Sequence, residues 1–146
     1  MDATVILQGG TVFDGPGAAE AFLVGRLLFG LVLAFNGLNH FQNVDALTGY
    51  AEAKGLPAPR FGVLFSGGML LFGGLGIAAG ALVPWAAGAI VLFALAAAFV
   101  FHDFWAVPEE QTQDEMTHFL KNMTILGGAL VFLALSSVQW PYSLGI

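Results

Sequence analysis

The sequence predicts an all-α membrane protein, a bundle of four transmembrane helices. Charge is scarce: charged residues make up 10% of the chain and hydrophobic ones 58%, whereas an ordinary soluble domain carries about 25% charged residues. With a mean hydropathy of +0.82, a chain of 146 residues cannot hide that much apolar surface in one soluble core. The apolar residues also fall into runs near the roughly 20 residues that a helical bilayer crossing requires. Polar groups gather between those runs, above all in FHDFWAVPEEQTQDEMTHFLKN.

Composition bounds the chemistry as well. Cysteine is absent, which excludes disulfides, thiolate metal sites and thiol redox chemistry from this chain. A redox role must therefore use a bound cofactor, a quinone or a partner. The net charge of −6 argues against nucleic acid, which calls for a basic face. The opening MDATVILQGG lacks the basic n-region of a signal peptide, so the first span is expected to act as its own insertion signal. The expected place is the cell membrane, crossed several times. The expected partners are the lipid bilayer and other membrane-complex subunits or further copies of the chain.

Residues 1–17 read as an N-terminal tail, because Gly9, Gly10, Gly15, Pro16 and Gly17 interrupt any long helix. Val5 to Leu7 makes a brief apolar patch there. Residues 18–140 are the membrane domain, and its first span is expected over 18–39. Arg26, Gly30, Leu33, Gly37 and His40 alternate at spacings of four and three, so they share one helical face, flanked by Asn36 and Asn43. An arginine at mid-membrane costs roughly 2.5–3.5 kcal/mol, so Arg26 either snorkels to the nearer surface or meets a buried partner or ligand.

A polar connection over 40–59 holds Asp45, Glu52, Lys54 and the turn-forming GLPAP. The second span, 60–82, is rich in glycine. Gly76 and Gly80 make a GxxxG pair, extended by Gly74 and Ala78, and such surfaces let helix backbones approach closely. Residues 82–84 leave room only for a tight hairpin, with Pro84 suited to a first helical turn. The third span, 84–104, ends in HDFW, and Trp105 follows where an interfacial aromatic belongs. Residues 106–116, with Glu109, Glu110, Asp114 and Glu115, read as a solvated acidic loop. The fourth span, 118–138, is closed by Trp140 and Tyr142 as a second aromatic belt, and 141–146 form a C-terminal tail. The side carrying Lys54, Arg60 and Lys121 is expected in the cytoplasm, with both termini outside.

Alternating helix direction brings His40, Arg60, His102, Asp103, His118, Lys121 and Asn122 to one membrane face. Four readings compete for this layer. Histidines with a carboxylate bind metals such as zinc, but no short HxxxH spacing is present. Histidines on facing helices ligate haem, but these lie at helix ends. A quinone head group wants an apolar slot and a His, Asn or Lys donor near the interface, and histidine also carries protons near neutral pH. In the fourth reading the residues anchor the bundle, cap helix ends and pair with one another; Lys121 then snorkels or pairs with Asp103 or Glu115.

Several stretches together resemble the DoxX family of small four-span membrane proteins. They are an arginine in the first span followed by GLNH (Gly37 to His40), the loop ending in LPAP, the glycine-rich LLFGGLGI, and the pair FHDFW and HFLKNMTILGGAL. The resemblance runs over residues 25–133. It implies similarity to the membrane subunit of thiosulfate:quinone oxidoreductase and to subunits of other membrane redox complexes. It also implies that Arg26, His40, His102, Lys121 and Asn122 match recurrent polar positions and would bind a cofactor, a quinone being the candidate. Relatives often carry a glutamate before the glycine-rich part of the second span. Here Ser66, Gly67 and Gly68 stand instead, which removes a candidate partner for Arg26. The expected role is a quinone-linked redox subunit or the membrane anchor of one; the alternative is a non-enzymatic subunit packed into a larger membrane complex.

Overall fold

The structure is a computed structural model that describes residues 12–146. Most of the N-terminal tail expected at 1–17, including the patch at Val5 to Leu7, lies outside the described residues. Five α-helices follow: α1 (Ala18–Gln42), α2 (Val44–Ala53), α3 (Pro59–Ala79), α4 (Val83–Ala96) and α5 (Glu109–Ala134). A π-helical segment, Ala97–Phe101, continues α4, and a 3-10 turn, Leu135–Ser137, ends α5. The segments Ala18–Gln42, Pro59–Ala79, Val83–Phe101 and Glu109–Ser137 are long and apolar enough to cross a membrane. The protein is an all-α, four-helix membrane bundle, as the sequence predicts.

The tightest seam joins α1 to α3. Gly30 lies against the backbone of Gly74 and Ala78, and Gly37 against that of Gly67 and Leu71. A Cβ built on Gly37 would sit 2.7 Å from the Gly67 carbonyl oxygen and 2.7 Å from the Leu71 nitrogen, so only glycine permits this approach. Gly30 and Gly37 are two helical turns apart, as are Gly67 and Gly74, and each contact therefore repeats in register. Without a hydrophobic drive between helices in lipid, such backbone packing is what holds them together.

From α3 the bundle continues to α4 and then to α5. Gly73 admits Ile90 and the Ala86 carbonyl of α4. Leu70, Ile77, Ile90 and Ala129 are fully buried along this path. Large rings span the gap between α1 and α5: Phe29 covers Gly128, and the rings of Phe22 and Phe29 lie 6.0 and 5.1 Å from that of Phe132.

Helix ends follow local chemistry. Gly80, at φ 65°, closes α3 and Leu82, at φ 49°, opens α4 with Pro84 in its first turn. This makes the tight hairpin that the sequence predicts. Residues 141–146 return across this end: Leu144 N–H donates to Ala79 O at 3.0 Å, Gly145 N–H to Gly80 O at 3.3 Å, and Leu82 N–H to Ile146 O at 2.5 Å.

Three elements differ from the sequence reading. Part of the 40–59 connection is the helix α2, which has Asp45 in its first turn and ends at Ala53, with Gly55 just past its cap at φ 75°; glycine is suited to that left-handed position. The acidic stretch expected as a loop over 106–116 is mostly the start of α5. Pro108 precedes it, and Glu109 and Glu110 occupy its first turn, where carboxylates oppose the positive end of the helix dipole. Trp140, expected in an interfacial belt, is instead only 5% exposed; its Nε1–H donates to Leu135 O at 2.9 Å.

Replacing Gly37 with valine is expected to destabilise the bundle by about 1–3 kcal/mol, the usual range for overpacking, read as a lower unfolding midpoint in detergent. Gly88→Ala, at a site with nothing within 4 Å, should leave that midpoint unchanged. An equal loss at both positions would show that α1–α3 contact is not the limiting seam.

Candidate functional site

The bundle end that carries the C-terminus of α4 holds the main polar cluster. The π-helical segment widens the last turn of α4 directly before His102 and Asp103. Such segments disrupt the regular helical ladder and re-aim the residues that follow. Glu115, His118 and Asn122 lie at spacings of three and four on α5, so they share the face that meets this turn.

His102 Nδ1–H donates to Glu115 Oε2 at 2.8 Å. The His102 and His118 rings stack with centroids 4.9 Å apart. Lys121 Nζ donates to His118 Nδ1 at 3.2 Å, which leaves the neutral His118 proton on Nε2. Asn122 is buried, at 3% exposure, while His118 and Lys121 are exposed. An apolar flank adjoins them: the ring of Phe119 lies 5.4 Å from Phe99, 5.4 Å from Phe104 and 5.9 Å from Trp105.

Helix α2 clamps this end. Lys54 Nζ forms a 2.7 Å ion pair with Asp103 Oδ1, and the Tyr50 hydroxyl donates to Phe101 O at 3.1 Å. Burial opposes the Lys54 charge, but the Asp103 bond and nearby anions outweigh it and leave its pKa raised. The bond from Lys54 is the main reason that Asp103 is held below its ordinary value of 3.8. His102 is held below its ordinary value of 6.5 because burial outweighs the attraction of Glu115.

His40 belongs to a separate group. Its Nδ1–H donates to Ser66 Oγ at 3.0 Å, with Val63 O at 3.3 Å, and the Ser66 hydroxyl donates to Val63 O. Its ring meets Phe93 edge-on at 6.1 Å. Arg60 pairs with Asp45 at 2.6 Å on the surface. Arg26 is not brought to this end at all. It lies fourteen residues before His40 on α1, about 21 Å at 1.5 Å per residue, and packs beside Gly80 and Tyr142. Of the residues expected to bind a cofactor, His102, just after the π-helical segment, and Lys121, on α5, both meet His118, and Asn122 follows one helical turn after His118 on α5. His40 stands apart on α1 and α3, and Arg26 lies at the opposite face.

The DoxX family model matches residues 21–103. The chain belongs to the DoxX family. No curated protein and no solved structure matches it. The matched stretch of this DoxX chain contains Arg26, His40, His102 and Asp103, whereas Glu115, His118, Lys121 and Asn122 lie beyond it. It is a multi-pass membrane protein in contact with the bilayer.

Among the described residues, no three His, Asp or Glu side chains gather to hold a metal. Rings stacked face to face cannot flank one haem iron from opposite sides. The cluster itself consists of the His102–Glu115 pair next to the exposed His118 and Lys121 and an aromatic flank. Sequence reasoning missed Glu115 as the partner of His102 because it placed that carboxylate in a loop; Glu115 and His118 at helical spacing after Pro108 were the available signal. It also missed Ser66 as the partner of His40.

The His102 shift sets a pH dependence. Below pH 6.5 the unfolded chain takes up a proton that the folded His102 resists, so stability falls until the pH passes the depressed value. Asp103 adds its own loss only below 3.8. We expect the unfolding midpoint to drop between pH 7 and 5 and this slope to flatten in His102→Gln; a slope unchanged by that substitution would place the titration elsewhere.

Proposed function

We propose that this DoxX chain is a quinone-linked redox subunit, or the membrane anchor of one. The observation that carries this reading is the His102–Glu115 pair stacked on His118 beside Lys121, at the end of a hydrophobic bundle. A quinone, when bound, takes up electrons together with protons. The residues here fit that demand. His118 Nε2–H and the Lys121 ammonium are donors for a carbonyl oxygen. With its Nδ1–H given to Glu115, His102 keeps Nε2 free to accept a proton, and the carboxylate stabilises the imidazolium that results. Phe99, Phe104 and Phe119 offer the apolar wall that an isoprenoid tail requires, and Asn122 is buried on the α5 face that carries His118. His40 with Ser66 supports the neighbouring α1–α3 end. Arg26 is too distant to touch a head group there. The chain contains no cysteine, so in this reading the electrons come from a bound cofactor or a partner.

Quinone reduction by the complex in native membranes tests this. Proton transfer by a positioned side chain contributes roughly 10²–10⁴-fold, so His102→Ala should lower turnover by about a hundredfold, and Lys121→Met should weaken quinone binding. Unchanged turnover and binding in His102→Ala would remove the role.

A second reading, a non-enzymatic subunit of a larger membrane complex, is favoured by a different observation. Gly25, Gly68, Gly88 and Gly127 have nothing within 4 Å and offer small surfaces to neighbouring helices. Purification in mild detergent separates the two readings. A partner retained with quinone supports the redox subunit; a partner retained without it supports the structural one.

A further inference from the structure

Arg26 occupies the opposite bundle end from the histidines and is not used by the reading above. Its side chain is 1% exposed. The guanidinium faces the rings of Phe22 and Trp140, 5.9 and 5.7 Å from their centroids. Its Nη2 donates to the Tyr142 carbonyl, while Nε and Nη1 have no hydrogen-bond partner. Among the described residues no carboxylate pairs with it. Ser66, one of the three residues standing where relatives carry a glutamate, bonds His40 at the far end of α3. A buried arginine of this kind is costly unless an opposite charge or further acceptors meet its donors.

The C-terminal residues lie directly on this charge. Nη1 lies against Gly80, where an added Cβ would come within 2.6 Å of it and would also meet Ser143. Residues 141–146 form a strap across the site. Tyr142 reaches Arg26 only through a left-handed backbone, at φ 55°. Clefts of about 400 and 490 Å³ flank the strap, and both include Gln139, Trp140 and Ser143 in their walls. The first also carries Ser136 and Ser137.

We propose that Arg26 is an anion-binding site for a carboxylate, phosphate or similar oxyanion, entered by displacement of the Tyr142–Ser143 strap. The planar guanidinium presents Nε and an Nη as a fork, which binds an oxyanion through parallel charge-assisted hydrogen bonds. Tyr142 supplies only a neutral carbonyl, to Nη2, and leaves Nε and Nη1 without acceptors; withdrawing it frees the edge made by Nε and Nη2. The hydroxyls of Ser137 and Ser143 and the Gln139 amide give the anion a polar path from the membrane surface. A free anion and the phosphate of a lipid headgroup share this chemistry.

Trp140 reports on the site. In a W85F/W105F background it is the sole tryptophan, and both replaced residues are exposed. The full chain in neutral detergent micelles is titrated with inorganic phosphate and with acetate against chloride at constant ionic strength. A parallel series adds phosphatidylglycerol to the micelles. The expected result is a saturable change in Trp140 emission, lost in Arg26→Gln. Arg26→Lys should weaken affinity by about tenfold or more, because an ammonium lacks the fork. Response to phosphate or acetate identifies a soluble anion, and response to phosphatidylglycerol alone a lipid headgroup; either supports the site. No saturable response to any of the three overturns it. If Arg26→Gln fails to fold, Arg26→Lys decides, and an affinity equal to that of the parent sinks the proposal.

Discussion

The glycine contact between α1 and α3 is the constraint on which the other arrangements depend. Gly30 and Gly37 bring α1 to backbone distance from Gly74 and Gly67, and this fixes the antiparallel register of both helices. Two polar groups sit at the ends of that register. At one end His40 reaches Ser66; at the other Arg26 reaches Gly80. A shift of one turn along the seam, about 5.4 Å, would break both sets of contacts at once. Backbone packing and the placement of the polar side chains are thus a single geometric fact.

The remaining polar residues are sorted by the same rule that governs any bilayer protein. Groups with a strong need for hydrogen bonds sit near the ends of the spans or are enclosed by protein. Lys54 with Asp103, Tyr50 with the Phe101 carbonyl, and His102 with Glu115 form three neighbouring contacts where α2 and α5 meet the end of α4. Tyr50 and Lys54 hold the π-helical turn from one side while Glu115 holds His102 from the other. The widened turn is therefore braced by contacts on both flanks. Arg26 obeys the rule through rings and a carbonyl instead of through an ion pair.

Much of this was legible in the sequence. The spacing of Arg26, Gly30, Leu33, Gly37 and His40 predicted one shared face, and Arg26, Gly30, Leu33 and Gly37 are all buried in α1. Run lengths predicted the spans because the bilayer imposes a length that few other settings demand. The gathering of His102, His118 and Lys121 followed from helix direction alone. Other features were beyond that reasoning for physical reasons. A rule that separates apolar spans from polar loops assigns Glu109 to Met116 to solvent, although helix propensity and the dipole favour α5 there. Ala97–Phe101 carries no residue that distinguishes a π turn from an α turn, since the choice is made by packing on both flanks. Trp140 has the composition of a belt residue, and only the path of the chain after Ser137 turns it inward onto Phe22 and Arg26. Pairings such as Tyr50 with Phe101 join distant parts of the chain, and no local pattern encodes them.

The early start of α5 has a further physical consequence. Its 26 residues extend about 39 Å at 1.5 Å per residue, more than the hydrocarbon thickness of roughly 30 Å. Its charged first turns are helical, a stiff rod on which Glu109, Glu110 and Asp114 keep fixed spacings instead of wandering on a loose tether. A rigid array of like charges produces a directional field, which decays over about 8 Å at physiological salt. A cationic macromolecule approaching this surface would be oriented before contact, and the strength of that guidance would fall as salt is added.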